Sequence, residues 1–226
     1  MRKRWLQCLL VLIALVVLTT CAPGKQSYRQ GEELIRMGNW EGAIAFYTDA
    51  LVQEPKNKKY QEALTEAQQK AAQKYYQRAV NIWDGSVAKD YQTVTRALAA
   101  LNKAVEFDPH NEQILALHGQ LKAKKDELTE QAKTSYQRGI TALDNEQWFE
   151  AVTSFRMVND IYPNYEDTED KLARAVATGT DEYYKAGILA VQREDWKVAL
   201  DNFGKVLAID SSYKNTRMLI EEVKKK

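Results

Sequence analysis

A five-residue signature recurs four times at fixed spacing, and no other feature of this sequence restricts its fold so strongly. Gly31, Ala43, Tyr47, Ala50 and Pro55 are separated by 12, 4, 3 and 5 positions. The same separations return in Gly85, Ala97, Leu101, Ala104 and Pro109, and again in Gly139, Ala151, Phe155, Val158 and Pro163. A fourth copy, Gly187, Ala199, Phe203 and Val206, has Ser211 where the others have proline. Trp40, Trp148 and Trp196 stand three residues before the key alanine in three copies, and Val94 stands there in the fourth. Similarity in a fixed register means one supersecondary unit repeated along the chain, each copy burying its apolar face against the next. Steps of 3 and 4 place the alanine, the aromatic or leucine and the second small residue on one side of a helix. Proline ends that helix, because it lacks the amide donor and clashes with the preceding turn.

Composition agrees with an all-α chain. Four Pro and ten Gly in 226 residues are few for the turns of an all-β fold. Ala, Leu, Gln, Glu and Lys, the good helix formers, predominate instead. Thirty-two Lys and Arg against 31 Asp and Glu give a net charge of +1. No basic face is advertised, so nucleic acid is not an expected partner. Both cysteines, Cys8 and Cys21, lie in the first tenth of the chain. The folded part therefore has no disulfide framework, no cysteine metal site and no cysteine nucleophile. His110 and His118 lack a ligand-spaced neighbour and read as ordinary helix residues, so no metal or cofactor is expected. GxxxxGK[ST], GxGxxG and HExxH are all absent, and adjacent acids such as Glu32 with Glu33 point in different directions. The expectation is a chain that is not an enzyme.

Residues 1–20 read as a secretory signal: Arg2, Lys3 and Arg4 precede an uninterrupted apolar stretch from Leu9 to Leu18. Ten apolar residues fall short of the roughly 20 that a membrane-spanning helix needs. Leu18, Thr19, Thr20 and Cys21 resemble the lipobox of bacterial lipoproteins. That resemblance implies cleavage before Cys21, acylation of its thiol by chains such as palmitate, and residues 21–25 as a lipidated stem. Ala22, which is not Asp, implies an outer-membrane lipoprotein facing the periplasm. An ordinary cleaved signal and an uncleaved anchor are the alternatives. Without residues 1–20 the chain carries 29 basic and 31 acidic side chains.

The recurring signature resembles the tetratricopeptide repeat, a helix–turn–helix unit with a small residue in its first helix, Ala, an aromatic and Ala on its second, and Pro at its end. The resemblance implies a right-handed α-solenoid of antiparallel helix pairs over residues 26–226, with units near 27–56, 78–110, 132–163 and 180–212. One departure stands out: the key alanines are 54, 54 and 48 residues apart, against 34 in that family. The additional stretches, 58–77, 111–131 and 164–178, contain no Pro and keep apolar residues at helical spacing. They predict first helices of roughly 30 residues, about 45 Å long, alternating with second helices of roughly 14, with a kink possible at Gly179. Asn111 and Asn164 are expected to cap helix starts.

In that family the first helices line a concave surface that binds a peptide or a partner helix. Carried over, the groove consists of Tyr28, Glu32 and Ile35, then Ile82, Ser86 and Lys89, then Tyr136, Ile140 and Leu143, and finally Tyr184, Ile188 and Val191. The alternative is that the helix extensions cover the groove and bury these side chains as core. The tryptophans are expected to pack between paired helices. Anchor, repeat and absent active site together predict a scaffold or assembly factor that binds envelope proteins. The alternative is a carrier or sensor of a small hydrophobic ligand held in a pore between the helices.

Overall fold

A computed structural model describes residues 24–226, and over them the chain is all α, built of antiparallel helix pairs. The signal, the lipobox-like segment and Cys21 lie outside the described residues. The helices are α1 (Lys25–Arg36), α2 (Trp40–Gln53), α3 (Lys58–Gly85), α4 (Tyr91–Phe107), α5 (Glu112–Asp144), α6 (Trp148–Ile161), α7 (Thr168–Gln192), α8 (Trp196–Ile209) and α9 (Thr216–Val223). Long first helices of 28, 33 and 25 residues alternate with second helices of 14 to 17. The extensions are thus continuous with the helices that follow them, and α7 passes Gly179 without a break.

Three of the paired helices are joined by the same three-residue turn. Its middle residue adopts a left-handed conformation, with φ of 71° at Gly38, 57° at Glu146 and 58° at Glu194. In each turn that residue's amide donates to the carbonyl three positions back, and the next amide donates to the carbonyl five back: Asn39 to Leu34 at 2.8 Å, Gln147 to Ala142 at 2.8 Å, Asp195 to Ala190 at 2.9 Å. These bonds satisfy the free carbonyls at the end of the first helix. Asn39 and Asp195 then cap the second helix by accepting from the amides of Gly42 and Val198. Asp90 caps α4 through Thr93 in the same way, and Asn111 caps α5 through Ile114. Asn164 does not cap. It sits at φ 63° in the turn after α6, and α7 begins four residues later at Thr168.

The signature residues show their purpose in the packing. Tyr47, Phe155 and Phe203 are fully buried, and each ring lies flat over the glycine of its own first helix. A Cβ on Gly31, Gly139 or Gly187 would stand 2.4, 2.6 or 2.5 Å from the ring, so only glycine permits this approach. Burial of such a side chain contributes about 2–3 kcal/mol. The second copy departs from this plan. Gly85 is the last residue of α3 and a Cβ there meets nothing within 4 Å, whereas Ala79 is fully buried. A five-residue connection, 86–90, replaces the three-residue turn, and α4 starts six residues before Ala97 instead of three.

The chain forms two compact units, 24–85 with 97–119, and 86–96 with 120–226. In the first, Ala43, Tyr47 and Ala67 make a core between α1, α2 and α3, joined by Leu34, Ile44 and Leu64. In the second, Ala142, Ala151, Val152, Phe155, Ala175 and Ile209 form one cluster, and Ala190, Ala199, Phe203 and Val223 form another. Val223, Leu219 and Ile220 bring α9 against that last cluster, while Met218 and the terminal lysines remain exposed.

Candidate functional site

Six of the eight residues singled out for the groove occupy equivalent seams. Tyr28 and Ile35 on α1, Tyr136 and Ile140 on α5, and Tyr184 and Ile188 on α7 are all half-buried, each packed against the core of its own repeat. The tyrosines bridge to the segment that leads into the next first helix. Tyr136 donates to Asp167 Oδ1 at 2.5 Å and meets Phe155 and Tyr165 edge-on. Tyr184 donates to Asn215 Oδ1 at 2.6 Å and meets Phe203 and Tyr213. Tyr28 stacks on Tyr60, with centroids 4.9 Å apart, and leans on Tyr47. These rings are therefore part wall and part inter-repeat staple.

The other two residues are placed differently from expectation. Ile82 is half-buried near the end of α3, and Lys89, also half-buried, lies in connection 86–90 together with Ser86. Neither Ser86 nor Lys89 is on a helix face. Ala79, buried in α3, and Tyr76, half-buried three positions earlier, have the spacing that Gly31 has with Tyr28. The three tryptophans are half-buried as well. Trp148, expected to pack within its own pair, instead packs across to α7, the first helix of the next pair, where a Cβ on Gly179 would stand 2.6 Å from the tryptophan Cβ.

In the first unit the seam opens into a pocket of about 300 Å³ between α1, α2 and α3. Tyr28, Glu32, Ile35, Trp40 and Tyr47 form one side, and Lys59, Glu62, Ala63, Glu66 and Ala67 the other. Tyr47 donates to Glu32 Oε1 at 2.6 Å, and Tyr28 lies beside the same carboxylate in the pocket lining. Burial, then the neighbouring Glu32 carboxylate, pushes Tyr28 up to about 12 and Tyr47 further in the same direction. Both hydroxyls therefore keep their protons, and that of Tyr47 stays committed to Glu32. The Lys59 ammonium lies 4.6 Å from the Tyr28 ring centre.

Two further pockets, of about 400 and 450 Å³, lie along α5 and α6 and share Arg138 and Met157. Arg156, which the sequence did not single out, crosses from α6 to the end of α8 and donates to the carbonyls of Ala208 and Ile209 at 3.1 and 2.5 Å. It caps that helix terminus. Among the described residues no three His, Cys, Asp or Glu side chains gather as metal ligands, and no helix is long and apolar enough to cross a membrane.

No family model matches the chain, and no curated protein matches it. Among solved structures it aligns with yeast Sti1, in a complex described as TPR2AB-domain:pHSP90. The identity is 14%, the alignment covers 90% of this chain and 99% of that one, and the TM-score is 0.22.

Proposed function

We propose that this chain is a non-catalytic scaffold of a bacterial cell envelope, held to a membrane by acyl chains on Cys21, which binds a segment of another envelope protein along its first helices. The observation that supports this reading is the pocket between α1, α2 and α3, where Tyr28, Ile35 and Trp40 supply apolar and aromatic surface beside the charged groups of Glu32, Lys59, Glu62 and Glu66. Tyrosine and tryptophan supply large, stiff contact areas with polar edges, the residue types that anchor protein interfaces. The walls stand on helices, and the Tyr28–Tyr60 stack and the Tyr47–Glu32 bond fix them in place before any partner arrives. Acyl chains supply the anchor, since two or more give stable attachment where a single chain is marginal. The tether places the folded part on the outer membrane, facing the periplasm.

A photoreactive amino acid at Ile35, inside the pocket, and one at Val52, exposed on α2 and outside it, test the reading in intact cells. A defined second protein joined through position 35 and absent from position 52 is the expected result. Equal capture from both positions, or from neither, contradicts it. Cys21→Ser tests the anchor separately: the variant should leave the membrane fraction, and retention with unchanged mobility contradicts lipidation.

A further inference from the structure

The seam of the first unit differs chemically from its two counterparts, and the repeat supplies the comparison. Glu32 stands one residue after Gly31, where Ile140 and Ile188 follow Gly139 and Gly187. Its partner Tyr47 stands where the other repeats have Phe155 and Phe203. Isoleucine with phenylalanine packs both other seams, so the fold does not require a carboxylate here. Setting an ionisable group against a buried ring contributes little to stability compared with an apolar pair of similar size. The Tyr47 hydroxyl nevertheless holds the Glu32 carboxylate in one orientation on the pocket wall. Glu62 and Glu66, one turn apart on α3, face it across the same space, and Lys59 is the only basic residue in the lining. Lys59 has already placed its ammonium over the Tyr28 ring.

We infer that this pocket takes a positively charged side chain, arginine or lysine, from the protein segment bound there. The inference rests on the groove reading above and names the chemistry of its partner. Three carboxylates against one ammonium leave the pocket negative. The Tyr47 hydroxyl is spent on Glu32, so it is not available to hold an anion. A guanidinium or ammonium entering between the walls meets carboxylate acceptors and the Trp40 ring, the two kinds of group that stabilise a partly desolvated cation. In the second unit, with Ile140 and Ile188 at the equivalent positions, this recognition is missing. The cation is therefore read at one end of the repeat.

Random-peptide selection against the detergent-solubilised full chain carrying a photoreactive residue at Ile35 tests this. Selected peptides that crosslink at position 35 should share an arginine or lysine at one place. Changing it to citrulline or acetyllysine should weaken binding at least tenfold. In the Glu62→Gln/Glu66→Gln variant, with Glu32 and its tyrosines untouched, the same exchange should matter less than threefold at an unchanged melting temperature. Peptides that crosslink at position 35 and bind equally well with the neutral residue overturn the inference and leave the groove reading standing. If no selected peptide crosslinks there, both fall.

Discussion

Replacing glycine by alanine has opposite consequences at different places in this chain, and the structure says which. Gly139 and Gly187 lie beneath Phe155 and Phe203, rings with no exposed surface and no room to swing. A methyl group at 2.5–2.6 Å from a ring carbon is about an ångström inside ordinary contact. The helix pair must separate, at about 1–3 kcal/mol. Alanine's better helix propensity returns about 0.5–1 kcal/mol, leaving a net loss centred at about 1 kcal/mol and reaching about 2.5 kcal/mol. Gly119 in α5 and Gly204 in α8 have nothing within 4 Å of the added methyl, so there the propensity gain stands alone. Urea unfolding followed by circular dichroism at 222 nm, with unchanged slope, should therefore show Gly139→Ala and Gly187→Ala destabilised and Gly119→Ala and Gly204→Ala stabilised by about 0.5–1 kcal/mol. Gly85→Ala belongs with the second group, although its place in the signature puts it with the first. If Gly139→Ala proves as stable as the parent, or Gly85→Ala as damaging as Gly139→Ala, the packing argument is wrong.

Two other consequences are open to measurement. Glu146 and Glu194 occupy the left-handed position that Gly38 fills in the first turn, at a cost of about 1 kcal/mol each. Glu146→Gly and Glu194→Gly should raise the unfolding midpoint, while Gly38→Ala lowers it. The Asp181 carboxyl is held down to about 2, first by the hydrogen bond from Lys185 and then by those from Tyr213 and Lys214. Because the folded form favours the charged carboxylate, its contribution is complete above the ordinary aspartate value of about 3.9 and disappears as the pH falls through about 2. A carbon-13 titration should place the midpoint there, and Lys185→Met should move it upward. A midpoint near 4 in the parent protein would exclude the contact.

The repeat made the helix pairs legible because its spacings express contacts: small residue under ring, ring against next helix, proline at the stop. The extensions were legible for a similar reason, since 58–77, 111–131 and 164–178 keep helical spacing with no breaker. The second copy misleads because a constant interval of 12 residues cannot distinguish a longer first helix from an added turn on the second. Here α3 stops at Gly85 and α4 gains a turn before Val94, which leaves Ser86 and Lys89 in a connection. Asn164 resembled a cap by its position after Pro163, but asparagine also tolerates a left-handed backbone, and the turn uses it that way. The Glu32–Tyr47 pair was visible as two columns of the repeat in which the first copy differs from the third and fourth. Its significance needed the structure, which joins the two columns through one hydrogen bond. Arg156 left no signal, because its carbonyl partners are 52 and 53 residues away.

Amide hydrogen exchange on the full chain, alone and with its crosslinked partner or a selected peptide, tests the binding face most directly. The account predicts that protection rises in α1 and in the first half of α3, around Tyr28, Ile35 and residues 59–67, where the pocket lies. Protection confined to α2, α6 and α8, with α1 and α3 unchanged, would contradict it.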